Sequence, residues 1–274
     1  MAKFFSLTLL LMIYTFDICA APKADLWSFW DKSDKNSNEA ISHQLWGDFL
    51  SVYVHSDSEG NRLLDYKHVS KSDGKALNTY ISQLKGIDPR RLQRDEQFAY
   101  WVNLYNALTV QLILDNYPVK SINKLGGFFS FGPWDDEVVQ VAGQSLTLND
   151  IEHRILRPIW KDKRIHYAVN CASYGCPNLQ NKPYSALTLN KQLDEAAKEF
   201  INADKGLVFE GNTLVLSSIY DWYREDFGDF NELRKHLLSY LEGKQQVKLK
   251  AFNGDIEYRY DWTLNDHSKA DEAE

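Results

Sequence analysis

The stretch Glu96-Gln-Phe-Ala-Tyr-Trp-Val-Asn-Leu-Tyr-Asn-Ala-Leu-Thr-Val-Gln-Leu-Ile-Leu-Asp-Asn-Tyr117 decides the architecture. It follows Asp95 and stops before Pro118, the two limits expected of a helix. Phe98, Trp101, Val102, Leu104, Tyr105, Leu108, Val110, Leu112 and Ile113 point in every direction around such a helix, so it should run through the middle of the protein. Asn103 and Asn106 interrupt that surface three residues apart, on one face. A buried amide left without hydrogen bonds costs about 1–3 kcal/mol, so the pair either ties down a neighbouring loop or orients groups at a site.

Working outward, residues 39–54 carry Ile41, Leu45, Trp46, Phe49 and Val52 at helical spacing, and residues 76–84 continue a helical pattern. The part of the chain ahead of the central helix is therefore expected to be mostly helical. Beyond the helix lies a turn-rich loop, 126–136, with Pro133-Trp134-Asp135-Asp136. Residues 138–141 and 144–146 predict a hairpin around Ala142-Gly143, and Thr147 with Asp150 a capping box for a helix over 148–157 that Pro158 stops. Ile165, Tyr167, Val169 and Cys171 alternate with His166, Ala168 and Asn170, which predicts a strand. Helices follow at 189–202, near 218–225 and at 230–241; strands are expected at 207–210, 213–216, 247–252 and 256–260. Without a strict strand-helix-strand alternation the class is α+β, a helical N-terminal part and a long buried helix packed on a small, mostly antiparallel sheet.

Composition sets outer bounds. The 274 residues are 44% hydrophobic and 25% charged, without internal repeats, as in one globular domain that folds without needing a metal or a disulfide. The net charge is −7 and no Lys/Arg block exceeds the run at 161–164, so nucleic acid is not an expected partner. Phosphate-loop, dinucleotide, H-E-x-x-H and G-x-S-x-G patterns are absent, so no cofactor is assigned and a serine hydrolase of the elbow type is disfavoured. Residues 1–20 have one Lys at position 3, an apolar run over 4–16 and an exit through Cys19-Ala20-Ala21, which reads as a secretory signal peptide. Removal leaves 21–274 as a single exported domain, periplasmic or secreted, with no transmembrane segment expected, no methionine and two cysteines, Cys171 and Cys176.

Those cysteines stand in Arg164-Ile-His-Tyr-Ala-Val-Asn-Cys-Ala-Ser-Tyr-Gly-Cys-Pro177. The predicted strand delivers Cys171 to its end, and Cys176 precedes a proline suited to the first position of a helix, so both sulfurs stand where backbone N–H groups favour a thiolate. Three readings stay open: a disulfide, a nucleophilic thiol, or a metal site completed by a histidine. Upstream, His153 is one turn from Asn149, Asp150 and Arg157 and is the candidate base. Glu152 flanks the inward stripe beside it. His166, on the opposite strand face from Cys171, is the second candidate base. The aromatic and acidic segments 219–228 and 258–265 are either packing or a ligand groove.

At these residues the sequence resembles the domain-of-unknown-function family number 547. The likeness rests on residues 98–107, 117–122, 146–157 and 164–177, with 260–265 similar to its usual ending; it covers about 65–265 and is strongest over 98–183. Bacterial members look exported. The outline is also similar to papain and transglutaminase-like cysteine hydrolases, although there the histidine follows the cysteine and here Glu152-His153 precede it. The leading expectation is a thiol-dependent hydrolase or acyltransferase acting on peptide or amide-like substrates. In it Cys171 is the nucleophile, His153 the base, Glu152 or Asn103 and Asn106 its orienting groups, and the N–H groups of residues 172–175 the oxyanion donors. Asn170, Ser173, Cys176, His166, Trp134 and Asp135 fall to the binding side. A non-catalytic scaffold with a Cys171–Cys176 disulfide competes, and a metal-binding protein is third.

Overall fold

A computed structural model describes residues 21–127 and 132–269. The signal peptide read at 1–20, Cys19 included, lies outside them, as do residues 128–131 of the turn-rich loop. Helix α1 (Gln44–Tyr53) buries Trp46, Phe49, Leu50 and Tyr53 and runs into a hairpin of β1 (Val54–Ser56) and β2 (Arg62–Leu64). Helix α2 (Lys71–Lys85) starts at Ser70, whose hydroxyl accepts from the Asp73 N–H. Helix α3 (Arg94–Asn116) is the axis expected of it: every residue from Glu96 to Val110 is buried. A second hairpin, β3 (Val139–Val141) with β4 (Gln144–Leu146), leads into a π-helix at Asp150–Leu156 and then α4 (Arg157–Trp160).

After α5 (Ile165–Ala168) come α6 (Leu189–Asn202), β5 (Leu207–Glu210) and β6 (Thr213–Ser217). Four helices follow, α7 (Ile219–Trp222), α8 (Arg224–Phe227), α9 (Phe230–Tyr240) and α10 (Gly243–Ala251), and β7 (Asp255–Arg259) ends the series. β6 is the middle strand of a three-stranded sheet, antiparallel to β5 and parallel to β7. The protein is α+β, with two cores. One surrounds α3; the other, around Phe200, Tyr220 and Phe227, joins α6 and α9 to the sheet. Among the described residues no helix is long and apolar enough to cross a membrane.

Four local expectations are corrected. Residues 165–168 form a helical turn, not a strand. Their alternation sorts side chains between the two cores, Ile165 and Val169 into one and Tyr167 into the other, so every residue from 165 to 170 is buried. Among the described residues no strand pairs with this segment; Asn106 bonds its backbone instead. The strand expected at 247–252 is instead the end of α10 and its cap Phe252: only Leu249 is buried, Val247 faces outward, and Lys248 and Lys250 suit the negative end of a helix. No helix begins at Pro177, so Cys176 caps nothing and the sulfurs gain no helix N-terminus.

Nor does Pro158 stop its helix. The Arg157 N–H reaches the Glu152 carbonyl, five residues back. That leaves the His153 carbonyl without its usual donor, and the Arg154 carbonyl, whose donor would be residue 158, faces a proline that has no N–H. A strap at residues 22–27 supplies both. Asp25 N–H donates to His153 O and Trp27 N–H to Arg154 O, each at 3.0 Å. The helix therefore continues to Trp160 and ends at Lys161 in the left-handed region, φ 52°.

Candidate active site

Two side-chain clusters adjoin where α3 meets the segment 164–177. Asn106, on α3, holds that segment from both ends of its amide: Nδ2 donates to Ala168 O at 3.0 Å and Oδ1 accepts from Asn170 N–H at 2.8 Å. Asn103 grips Tyr184 in the same manner, donating to its carbonyl at 2.8 Å and accepting from its N–H at 3.0 Å. Asn170 in turn braces the cysteine loop, accepting from Ala172 N–H at 2.9 Å and donating to Pro177 O at 2.7 Å. The brace holds Ala172 at φ 56°, a conformation that costs a residue with a Cβ about 1–2 kcal/mol. The loop also docks on residues 261–263, with Tyr174 N–H donating to Thr263 O at 2.7 Å and Gly175 N–H to Asp261 O at 2.9 Å. A Cβ at Gly175 would stand 2.7 Å from the Asp261 nitrogen, so only glycine fits.

Inside this loop Cys171 is half-buried and Cys176 buried, both are free thiols, and their sulfurs are 2.8 Å apart. Cys171 Sγ is also 3.1 Å from Ser173 Oγ and 2.9 Å from Tyr260 Oη, which are 2.9 Å from each other. Burial pushes the Cys171 thiol up, but the hydrogen bonds from Cys176, Ser173 and Tyr260, with the Ser173 N–H, outweigh it and bring it below the ordinary thiol value. Cys176 is driven the other way, first by burial and then by its neighbour. The first proton the pair loses therefore leaves the negative charge on Cys171. The loop amides are not oxyanion donors as expected: those of Ala172, Ser173, Tyr174 and Gly175 are all engaged within the protein.

The second cluster joins the π-helix to α8. Glu152 Oε1 lies 3.7 Å from His166 Nδ1 and 4.0 Å from His153 Nδ1, and Tyr105 Oη donates to Oε2 at 3.2 Å. On its far side His166 Nε2 is 2.7 Å from Asp226 Oδ2, to which Arg157 Nε also donates. Because a carboxylate only accepts, His166 carries its proton on Nε2 toward Asp226. Burial would raise both carboxyls, but the surrounding His153, His166 and Arg157 hold Glu152, and His166 and Arg157 hold Asp226, well below the usual carboxylate range. Arg157 Nη1 donates to His153 Nδ1 at 3.0 Å, which occupies the lone pair that a base at this position would use. Burial, helped by Arg157, lowers His153 to about 4.

Tyr105 and Tyr223 stand between the clusters. Both hydroxyls are raised by burial first and then by the charges of Glu152 and Cys171. Tyr223 stacks on His166 with ring centres 3.9 Å apart, while its neighbour Trp222 packs against Tyr260 at 4.7 Å and Trp262 at 5.4 Å. Among the described residues the side-chain partners of Cys171 Sγ are Cys176, Ser173 and Tyr260, and no histidine is one of them. Trp134 and Asp135 meet Asn149 at the start of the π-helix, through Asn149 N–H to Trp134 O at 3.1 Å and Asn149 Nδ2 to Asp135 Oδ1 at 2.7 Å. No group of three or more His, Cys, Asp or Glu among the described residues is placed to hold a metal.

Sequence reasoning missed two participants. Tyr260 lies in the aromatic segment read as a possible groove, but nothing local marks its hydroxyl as a partner of a sulfur 89 residues away. Asp226 was visible as a charge, and only the fold brings it to His166 and to Arg157, which the sequence already places one turn from His153. A cleft of about 810 Å³ opens on the outer side of the loop, with Tyr174, Gly175, Lys205 and Tyr260 in its wall. Burial lowers Lys205 to about 8, although Cys176 and Glu199 act against the shift.

No curated protein and no solved structure matches the chain. Residues 89–201 match the family described as "Protein of unknown function, DUF547", a span that takes in Asn103, Asn106, Glu152, His153, His166 and both cysteines. The likeness covers less than half of the chain and spans the long buried helix and the cysteine loop.

Proposed function

We propose that the protein is a thiol-dependent hydrolase or acyltransferase with Cys171 as its nucleophile, acting on peptide, amide or similar acyl substrates, and that it works after export on the strength of residues 1–20. One observation carries the reading: a half-buried sulfur with Cys176, Ser173 and Tyr260 within 3.1 Å, an arrangement that favours the thiolate. The thiolate needs no adjoining base. As sulfur bonds to the acyl carbon it loses its charge, and the Ser173 and Tyr260 hydroxyls become free to donate to the oxyanion that forms. Collapse of that intermediate expels the leaving group, which takes the Tyr260 proton, and leaves a thioester; the water or acceptor amine that cleaves it returns a proton to Tyr260 as Cys171 leaves as the thiolate. The Glu152–His166–Asp226 cluster is coupled to this site through Tyr105 and Tyr223, whose hydroxyls feel the charges of both Glu152 and Cys171.

The test is acylation with p-nitrophenyl acetate followed by mass mapping. An acetyl group on Cys171 that hydroxylamine removes, absent from Cys171→Ala and kept by Cys176→Ser, supports the reading. Acetylation that ignores Cys171→Ala, or none at all, overturns it.

A further inference from the structure

We propose that Cys171 and Cys176 form a peroxide-reactive dithiol in which Cys171 is oxidised first and Cys176 closes the disulfide. The proposal rests on the reading of Cys171 as a reactive thiol and adds a chemistry and a substrate class, hydroperoxides, to the same loop. The two sulfurs are unequal in the way such a pair requires. Cys171 is half-buried, whereas Cys176 is 4% exposed, with its sulfur 2.8 Å from that of Cys171. A disulfide bond is about 2.05 Å long, so the sulfurs need approach by less than about 1 Å.

The loop is built to keep them in place. Asn170 ties Ala172 to Pro177, and the amides of Tyr174 and Gly175 are bonded to residues 263 and 261. Once oxidised, Cys171 therefore cannot swing away from its partner. In the first step the Cys171 thiolate attacks the outer oxygen of a hydroperoxide ROOH. The O–O bond breaks, its electron pair leaves with RO⁻, which is protonated to ROH, and Cys171 becomes a sulfenic acid. In the second step the Cys176 sulfur attacks the sulfenic sulfur, the S–O bond breaks, and hydroxide leaves with the Cys176 proton as water. Two thiols and one hydroperoxide give one disulfide, one alcohol and one water. The disulfide withdraws the nucleophile from acyl chemistry until a thiol reductant returns both protons and electrons.

The experiment uses the full chain, reduced, freed of reductant, exposed to hydrogen peroxide and digested with trypsin. Both cysteines fall on one tryptic peptide, since no Lys or Arg lies between positions 165 and 181, so Cys19 does not confuse the reading. The expected wild-type peptide loses two hydrogens, binds no dimedone and recovers both thiols with dithiothreitol. In Cys176→Ser the peptide gains one oxygen and binds dimedone at Cys171; in Cys171→Ser it is unchanged. The proposal is overturned if the wild-type peptide keeps both thiols, or gains two or three oxygens instead of losing hydrogens, an outcome that needs no variant to fold. Because the readout is mass and not turnover, acetylation without disulfide formation removes this proposal alone, and disulfide formation without acetylation removes only the hydrolase reading.

Discussion

Arg157 Nη1 donates to His153 Nδ1 across 3.0 Å, within a structure where the same guanidinium also serves Asp226 and the Pro22 carbonyl. A guanidinium has no acceptor, so His153 is fixed as the tautomer with its proton on Nε2. Arg157→Met should leave Asp226 and the Pro22 carbonyl without their donor and lower stability by about 3–5 kcal/mol, the range for breaking a buried pair. Urea denaturation measures the loss, and a change under about 1 kcal/mol would contradict the role given to Arg157.

Acid should unfold the protein early. His153, His43 and His236 are lowered to about 4 in the fold, chiefly by burial, against 6.5 when free. Between those values the unfolded chain binds more protons, so stability falls as pH drops from 6.5 toward 4. His153, the most buried of the three, contributes about 3 kcal/mol of that fall. Below about 4.5 the loss steepens as Glu152 and Asp226, both depressed in the fold, begin to gain protons more readily in the unfolded chain. A melting temperature that stays flat between pH 7 and 4 would refute the assignment.

Removing one hydroxyl should slow the thiol. Tyr260→Phe takes away a donor at 2.9 Å from Cys171 Sγ and leaves the ring in its tilted contact with Trp222. Iodoacetamide alkylation of Cys171, followed against pH, should shift its midpoint upward and drop several-fold at pH 7. An unmoved midpoint would show that Tyr260 does not hold the thiolate.

The strap makes a prediction of its own. Asp25→Pro deletes the N–H that caps the His153 carbonyl, whereas Asp25→Ala keeps it. The proline variant should lose about 1–3 kcal/mol and the alanine variant little, because the Asp25 side chain is exposed and 4.0 Å from Arg154. Equal effects in calorimetry would mean that the backbone bond contributes nothing.

How far the sequence reaches depends on where each element finds its partners. The bounds of α6 are legible at 189–202, because its apolar residues Leu193, Ala196, Ala197, Phe200 and Ile201 repeat on one face against polar ones. The burial of α3 is legible for the opposite reason, an apolar surface with no preferred side. The segment 165–171 is not, since its alternation reflects two separate cores and its backbone is satisfied by Asn106, a side chain 62 residues away from Ala168. Pro158 misleads likewise: the donor replacing its missing N–H is on Trp27. At the site, the cysteine pair and the Glu152-His153 dipeptide stand out as residue types, while the pairing of Cys171 with Tyr260 and of His166 with Asp226 is a product of topology.

The strap also orders events in time. Residues 25 and 27 leave the ribosome long before residues 153 and 154, to which they donate. Until more than half of the chain has been made, the π-helix cannot receive them, and two of its carbonyls must stay hydrated. The first described stretch to be synthesised is therefore among the last to be fastened, and contacts so distant in sequence slow folding.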